Sequence, residues 1–137
     1  EEVNAKSIEH IAVKMEYIYY KIYVFSLMLR KGANPELRAS FAFMMIQIFN
    51  LIIVEKLFLK FFGEHYKIEQ LSDGLRVVIG IILASINYYL FISKDKHLSI
   101  IEKYKDESKK SKKLGNVLVT VYILSSLLLL IYVKFYL

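Results

Sequence analysis

Residues 113–134 read KLGNVLVTVYILSSLLLLIYVK, with Lys113 and Lys134 bracketing an uncharged run from Leu114 to Val133. At about 1.5 Å per residue, a helix over this run matches the roughly 30 Å hydrocarbon core of a bilayer. This stretch decides the fold class, because lipid rather than water must be its solvent.

Two further runs repeat the pattern. Val77 to Ser93, between Arg76 and Lys94, carries no charge and is strongly apolar. Ala39 to Val54 is also uncharged, after which Glu55, Lys56 and Lys60 precede Phe61 and Phe62. The second helix is expected to reach the far interface near those phenylalanines, where lysines extend toward headgroups. In a chain of 137 residues that is 56% hydrophobic, this is more apolar surface than a small water-soluble domain can hide.

Ahead of these runs, Ile8, Ile11, Met15, Ile18, Ile22, Phe25 and Leu29 recur at alternating spacings of three and four, the signature of a helical seam. Lys14, Glu16 and Lys21 lie off that seam. Charges at a bilayer centre each cost roughly 2.5–3.5 kcal/mol, so an amphipathic helix packed on its neighbours or lying at the interface competes with a full span. Lys21 among Tyr17, Tyr19, Tyr20 and Tyr23 fits an interfacial aromatic zone. Glu1, Glu2 and Glu9 precede the first apolar stretch, which excludes a basic-then-apolar signal peptide at this position. Residues 1–14 are compatible with a fused helix ahead of an original start at Met15.

The expectation is an all-α integral membrane bundle of about four helices in a single domain over residues 1–137. Helix 1 covers about 5–30 and is followed by spans at about 37–62, 75–93 and 115–136. Punctuation agrees, since Gly32, Gly63, Gly74 and Gly115 fall in or beside the connectors. Asn34-Pro35-Glu36 reads as N-cap, first helical residue and acidic first turn, and Asp73 reads as a cap for the helix beginning near Gly74.

Charge sets the orientation. Lys94, Lys96, Lys103, Lys105, Lys109, Lys110, Lys112 and Lys113 crowd one connector, and Arg30, Lys31 and Arg38 fall on the same side. The opposite side offers Lys67, with Lys60 and Arg76 in the flanks and Lys134 near the end. The positive-inside rule then puts 94–113 in the cytoplasm and the C-terminal end outside. The abundance of Ile, Lys, Tyr and Phe points to an AT-rich bacterial genome, and hence to a bacterial inner membrane. Within the connector, Leu98, Ile101 and Tyr104 predict a short helix prolonging the preceding span, before Glu107 to Lys113 becomes too charged to pack. That stretch reads as a solvated linker touching anionic headgroups, or as a docking site for an acidic partner. The net charge of +6 carries no nucleic-acid motif with it.

Polar residues inside predicted spans are the functional candidates. Gln47 and Asn50 share a helix face, and Gly80, Ala84 and Asn87 form a stripe with small-xxx-small spacing. Asn50, Asn87 and Thr120 fall at similar depth. The group either joins helices by hydrogen bonds or forms a polar layer along a path for ions or a small solute. Glu55 is the acidic residue inside a span, a candidate for ion coupling or an interfacial charge beside Lys56.

Catalytic chemistry finds little footing. There is no cysteine, His10, His65 and His97 never take metal-ligand spacing, and neither a Gly-rich phosphate loop nor a nucleophile elbow is present. Glu64, His65 and Glu69 form the nearest acid/base cluster. No cofactor is implied. In size and helix number the chain is similar to the small multidrug transporters, but it departs from their lone acidic residue in an apolar first helix, since Glu16 sits between Lys14 and Lys21.

The sequence therefore predicts a non-enzymatic membrane protein acting through helix association, as an oligomer or as a membrane subunit of a complex. Its partners would be the lipid bilayer and either itself or another membrane protein. The alternative is an oligomeric channel, transporter or membrane-permeabilising effector. A membrane enzyme using Glu64, His65 and Glu69 is a third reading.

Overall fold

The computed structural model describes residues 2–29, 34–63 and 70–137, and for residues 2–9 and 12 the backbone alone. Among them every regular element is helical. Helix α1 covers Glu2–Leu29. Helix α2 (Pro35–Phe58) continues through a wide π turn at Leu59–Gly63. Helix α3 (Asp73–Asn87) passes through a π turn at Tyr88–Ile92 and a tight 3-10 turn at Ser93–Asp95 into α4 (Lys96–Tyr104). Helix α5 covers Lys109–Tyr136.

Three helical stretches are long and apolar enough to cross a membrane: Pro35–Gly63, Asp73–Tyr104 and Lys109–Tyr136. Only 28%, 11% and 17% of their most apolar windows are buried inside the chain, so these helices turn their hydrophobic side chains outward. α1 is not one of the three.

Helices α2 and α3 run antiparallel. Glu55 meets Arg76 near the intervening segment, and Gln47 meets Asn87 farther along. Phe43 and Phe91 close the far end with ring centroids 5.2 Å apart at 87°. Tyr19 of α1 stacks on Phe91 at 4.3 Å and nearly parallel, 3° between planes. This aromatic cluster, with Tyr20, Ile22, Ala39, Ile46 and Ile100, forms the core that joins α1, α2, the α3 extension and α4. Offset and edge-on ring pairs of this kind add roughly 0.5–1.5 kcal/mol each beyond their buried area.

Several local expectations are corrected. Only the middle of the α1 seam faces the core: Ile22 is buried and Met15 and Ile18 pack against it, but Ile11, Phe25 and Leu29 are exposed. Tyr19, Tyr20, Lys21 and Ser26 are buried instead, because the aromatic contacts and an ion pair set the rotation of α1. Asn34 makes no side-chain cap. It adopts the left-handed conformation (φ 54°, ψ 60°), while Pro35 and Glu36 take the first turn as expected. The cap of α3 is Ser72, whose Oγ accepts from the Leu75 N–H at 3.3 Å, and Asp73 is the first helical residue. The short helix expected over Leu98 to Tyr104 is present as α4 and follows α3 within the stretch Asp73–Tyr104, but across a kink, since Lys94 and Asp95 both take left-handed φ values, 56° and 54°. Ser108 caps α5 through the Ser111 N–H at 3.2 Å, so the lysine run is exposed as expected but forms the first turns of that helix and not a linker.

Candidate functional site

Two sets of polar contacts hold the helices together. The first lies between α2, α3 and α5. Asn87, 2% exposed, donates through Nδ2 to Gln47 Oε1 at 2.7 Å and to the Leu83 carbonyl at 2.8 Å. Its Oδ1 is buried and has no hydrogen-bond partner among the described residues. Asn50 turns the other way and donates to the Tyr122 hydroxyl at 2.6 Å. Gln47 and Asn50 thus serve different neighbours: a three-residue step rotates a helix by about 60°, enough for one side chain to face α3 and the other α5. Similar depth does not bring Asn50, Asn87 and Thr120 together, and Thr120 is exposed on α5.

The stripe on α3 is open. A methyl group added at Gly80 would meet nothing within 4 Å, and Ala84 is exposed. Ala84 and Asn87 line one wall of a groove of about 350 Å³, and Leu37, Ser40, Phe41 and Met44 of α2 form the other. Glu55 is tied down in the structure, accepting from Arg76 Nη2 at 2.9 Å and from the Leu71 N–H at 3.1 Å, which joins the end of α2 to the start of α3.

The second set fastens α1 to α4 and the start of α5. Lys21 forms an ion pair with Glu107, their side chains 5% and 9% exposed, and Tyr17 donates to the other Glu107 oxygen at 2.9 Å. The Lys21 ammonium also lies 5.1 Å from the Tyr17 ring centre and 5.5 Å from that of Tyr20. Glu16 pairs with Lys103 at 2.8 Å, and the Tyr104 hydroxyl donates to the Val13 carbonyl at 3.3 Å. Gly115 is required here, since a Cβ on it would fall 1.8 Å from the Tyr17 hydroxyl oxygen. Burial pulls the pKa of Lys21 down, but the hydrogen bonds to Glu107 and Tyr17 outweigh it, and the ammonium titrates above the ordinary lysine value.

Glu107 escaped the sequence reading because it stands 86 positions from Lys21, beyond any local spacing, and opens a run dominated by lysine. The only local signal was Lys21 itself, a cation in a tyrosine-rich stretch for which the neighbouring residues supply no anion.

A larger groove, about 570 Å³, lies between α1, α2 and α5. Phe25 and Met28 of α1, Ala42 and Phe49 of α2, and Thr120 and Leu124 of α5 are among its walls. His10 is exposed and His97 half-buried, and no group of three His, Asp or Glu side chains converges as a metal site among the described residues. Glu64, His65 and Glu69 lie outside the described residues. No protein-family model, curated protein or solved structure matches this chain.

Proposed function

We propose that this chain is a multi-spanning protein of a bacterial inner membrane that works by helix association, as an oligomer or as the membrane subunit of a complex, and without catalysis. The outward-facing apolar helices support insertion, because a water-soluble fold of this size does not leave such faces uncovered. Polar side chains share the interior with the aromatic core, with Lys21, Ser26, Ser40, Asn87 and Ser126 buried. The basic turns around 94–113 lie on the cytoplasmic side and Tyr136 on the outer side.

The observation that carries the association reading is the groove between α2 and α3. Small residues along α3 let a second backbone approach, beside a buried Asn87 whose Oδ1 has no partner among the described residues. Gln47, Asn50, Asn87 and Tyr122 bond one another rather than facing a common path, which favours association over a conducting pore.

Since the chain has no cysteine, Ala84→Cys provides a single reporter position. In native membranes the variant is expected to cross-link to a second copy or to one membrane partner, and Gly80→Leu is expected to abolish the cross-link while leaving helicity unchanged. A strictly monomeric chain in lipid that captures no partner, or a liposome ion flux that survives Gly80→Leu, would overturn this reading.

A further inference from the structure

The larger groove has a chemical direction. Along α5, Lys109, Lys112, Lys113, Asn116, Thr120, Ile123, Leu124 and Leu127 recur at spacings of three and four, so they share one face. That face is cationic at the helix start, polar at Asn116 and Thr120, and apolar beyond. Asn116, Thr120, Ile123, Leu124 and Leu127 border the groove, whose other walls are Lys21 and apolar side chains of α1 and α2. At about 1.5 Å per residue this wall is roughly 16 Å long. That is close to one leaflet, about half of the roughly 30 Å hydrocarbon core.

One to two turns before Asn116 on α5, outside the groove lining itself, Lys109, Lys112 and Lys113 of the same face and Lys110 beside them are exposed, and none takes part in an ion pair among the described residues. Lys21, at the same end of the groove, is already neutralised by Glu107, so the exposed lysines supply the attraction. A groove of this volume lies within the range of small-molecule sites, which extend from about 300 to 1,000 Å³.

We propose that the groove between α1, α2 and α5 binds a phospholipid with an anionic headgroup. One acyl chain lies along Asn116 to Leu127, and the headgroup phosphate is held by Lys109, Lys112 and Lys113. The gradient of the wall matches a lipid end for end: cations where the phosphate lies, hydrogen-bonding groups at glycerol depth, and aliphatic and aromatic side chains along the tail. A second helix would need a uniformly apolar or small-residue wall and would not call for four unpaired lysines at one end. The proposal rests on the chain being membrane-inserted.

The test uses the full chain in nanodiscs of phosphatidylcholine with a minor fraction of phosphatidylglycerol, with retained lipids counted by native mass spectrometry. Wild type is expected to keep one phosphatidylglycerol in preference to phosphatidylcholine. Ala42→Phe with Thr120→Phe fills the groove and is expected to lose that lipid. Lys112→Gln with Lys113→Gln changes exposed residues only and is expected to cut the preference by about tenfold or more, at roughly 1 kcal/mol per lysine. Equal retention of both lipids by wild type, or an unchanged preference in the lysine variant, overturns the proposal. So does Leu124→Cys disulfide-linking to its counterpart in a second copy, which would put protein in the groove. Failure of the chain to enter nanodiscs, with a monodisperse state in plain buffer, sinks the membrane reading itself, whereas entry without lipid preference sinks only the lipid site.

Discussion

The contact with the largest expected energetic consequence joins residues that no local pattern connects. Lys21 and Glu107 are both almost fully buried, and each is the other's counter-ion. Removing one partner of a buried pair leaves an uncompensated charge and typically costs about 3–5 kcal/mol, far more than an exposed pair is worth. Glu107→Gln should therefore destabilise the chain by about that amount in lipid, while Glu102→Gln, which breaks the exposed pair with Lys105, should change stability by less than about 1 kcal/mol. Denaturant titration followed by circular dichroism separates the two, and equal effects would mean that Lys21 finds water or another acceptor. The pH dependence has a definite sign. A lysine whose folded pKa is raised contributes its stabilisation fully below the ordinary lysine value and loses it as pH rises through the raised one. On the lysine side the pair should be insensitive to pH near neutrality and should weaken above about pH 10. In the sequence, Lys21 could be placed near tyrosines, and its cation–π geometry over Tyr17 and Tyr20 agrees with that. Its acid could not be found, because chain folding alone brings Glu107 to it.

At the scale of elements, the three apolar helices were legible because each is an uncharged run long enough to identify itself by composition. The rotation of α1 was not. Its aliphatic seam has a regular period, yet beside Met15, Ile18 and Ile22 the stacking of Tyr19 on Phe91 and the pairing of Lys21 with Glu107 bring Tyr19 and Lys21 inward while both ends of the seam stay exposed. An apolar period identifies a buried face only where water is the alternative, and that contrast fades where lipid also accepts aliphatic side chains. Capping misled for a related reason: Asn34 and Asp73 have suitable side chains, but Ser72, one position earlier, reaches the Leu75 N–H while Asn34 is turned into the left-handed region. The bend between α3 and α4 was also hidden, since Lys94 and Asp95 are neither glycine nor proline. Each holds a conformation that costs an L-residue about 1–2 kcal/mol, so the packing of α4 on α1 must offset it. Lys94→Gly should accordingly be neutral or stabilising by up to about 1 kcal/mol, and Lys94→Val should be clearly destabilising because a β-branched side chain fits that region poorly. Thermal unfolding of both variants in the same lipid checks this, and a Val variant as stable as wild type would show that the chain straightens through the bend.

For the whole molecule, the distribution of charge and the contacts of α1 constrain orientation together. Glu16 and Lys21 of α1 bond Lys103 and Glu107, so the part of α1 from Val13 to Lys21 shares a side with the basic segment, whichever side that is. Of the charges that discouraged reading α1 as a span, Glu16 and Lys21 are met by Lys103 and Glu107, while Lys14 is exposed. Exposed lysines outside any ion pair among the described residues, Lys94, Lys109, Lys110, Lys112 and Lys113, then dominate the bias between the two sides, because among the described residues of the opposite side Arg76 is paired with Glu55 and Lys56, Lys60 and Lys134 are scattered. Positive-inside orientation requires 94–113 and the start of α5 to be cytoplasmic and Tyr136 to be outside. An alkaline phosphatase fused after Ser108 should be inactive in bacterial cells, and one fused after Leu137 should be active. Replacing Lys109, Lys110, Lys112 and Lys113 by Gln should raise the activity of the first fusion and lower that of the second, as the population splits between orientations. A fusion after Ser108 active in the unsubstituted chain would invert the topology. It would also move the lipid-binding groove to the outer leaflet, where anionic headgroups would have to be sought instead.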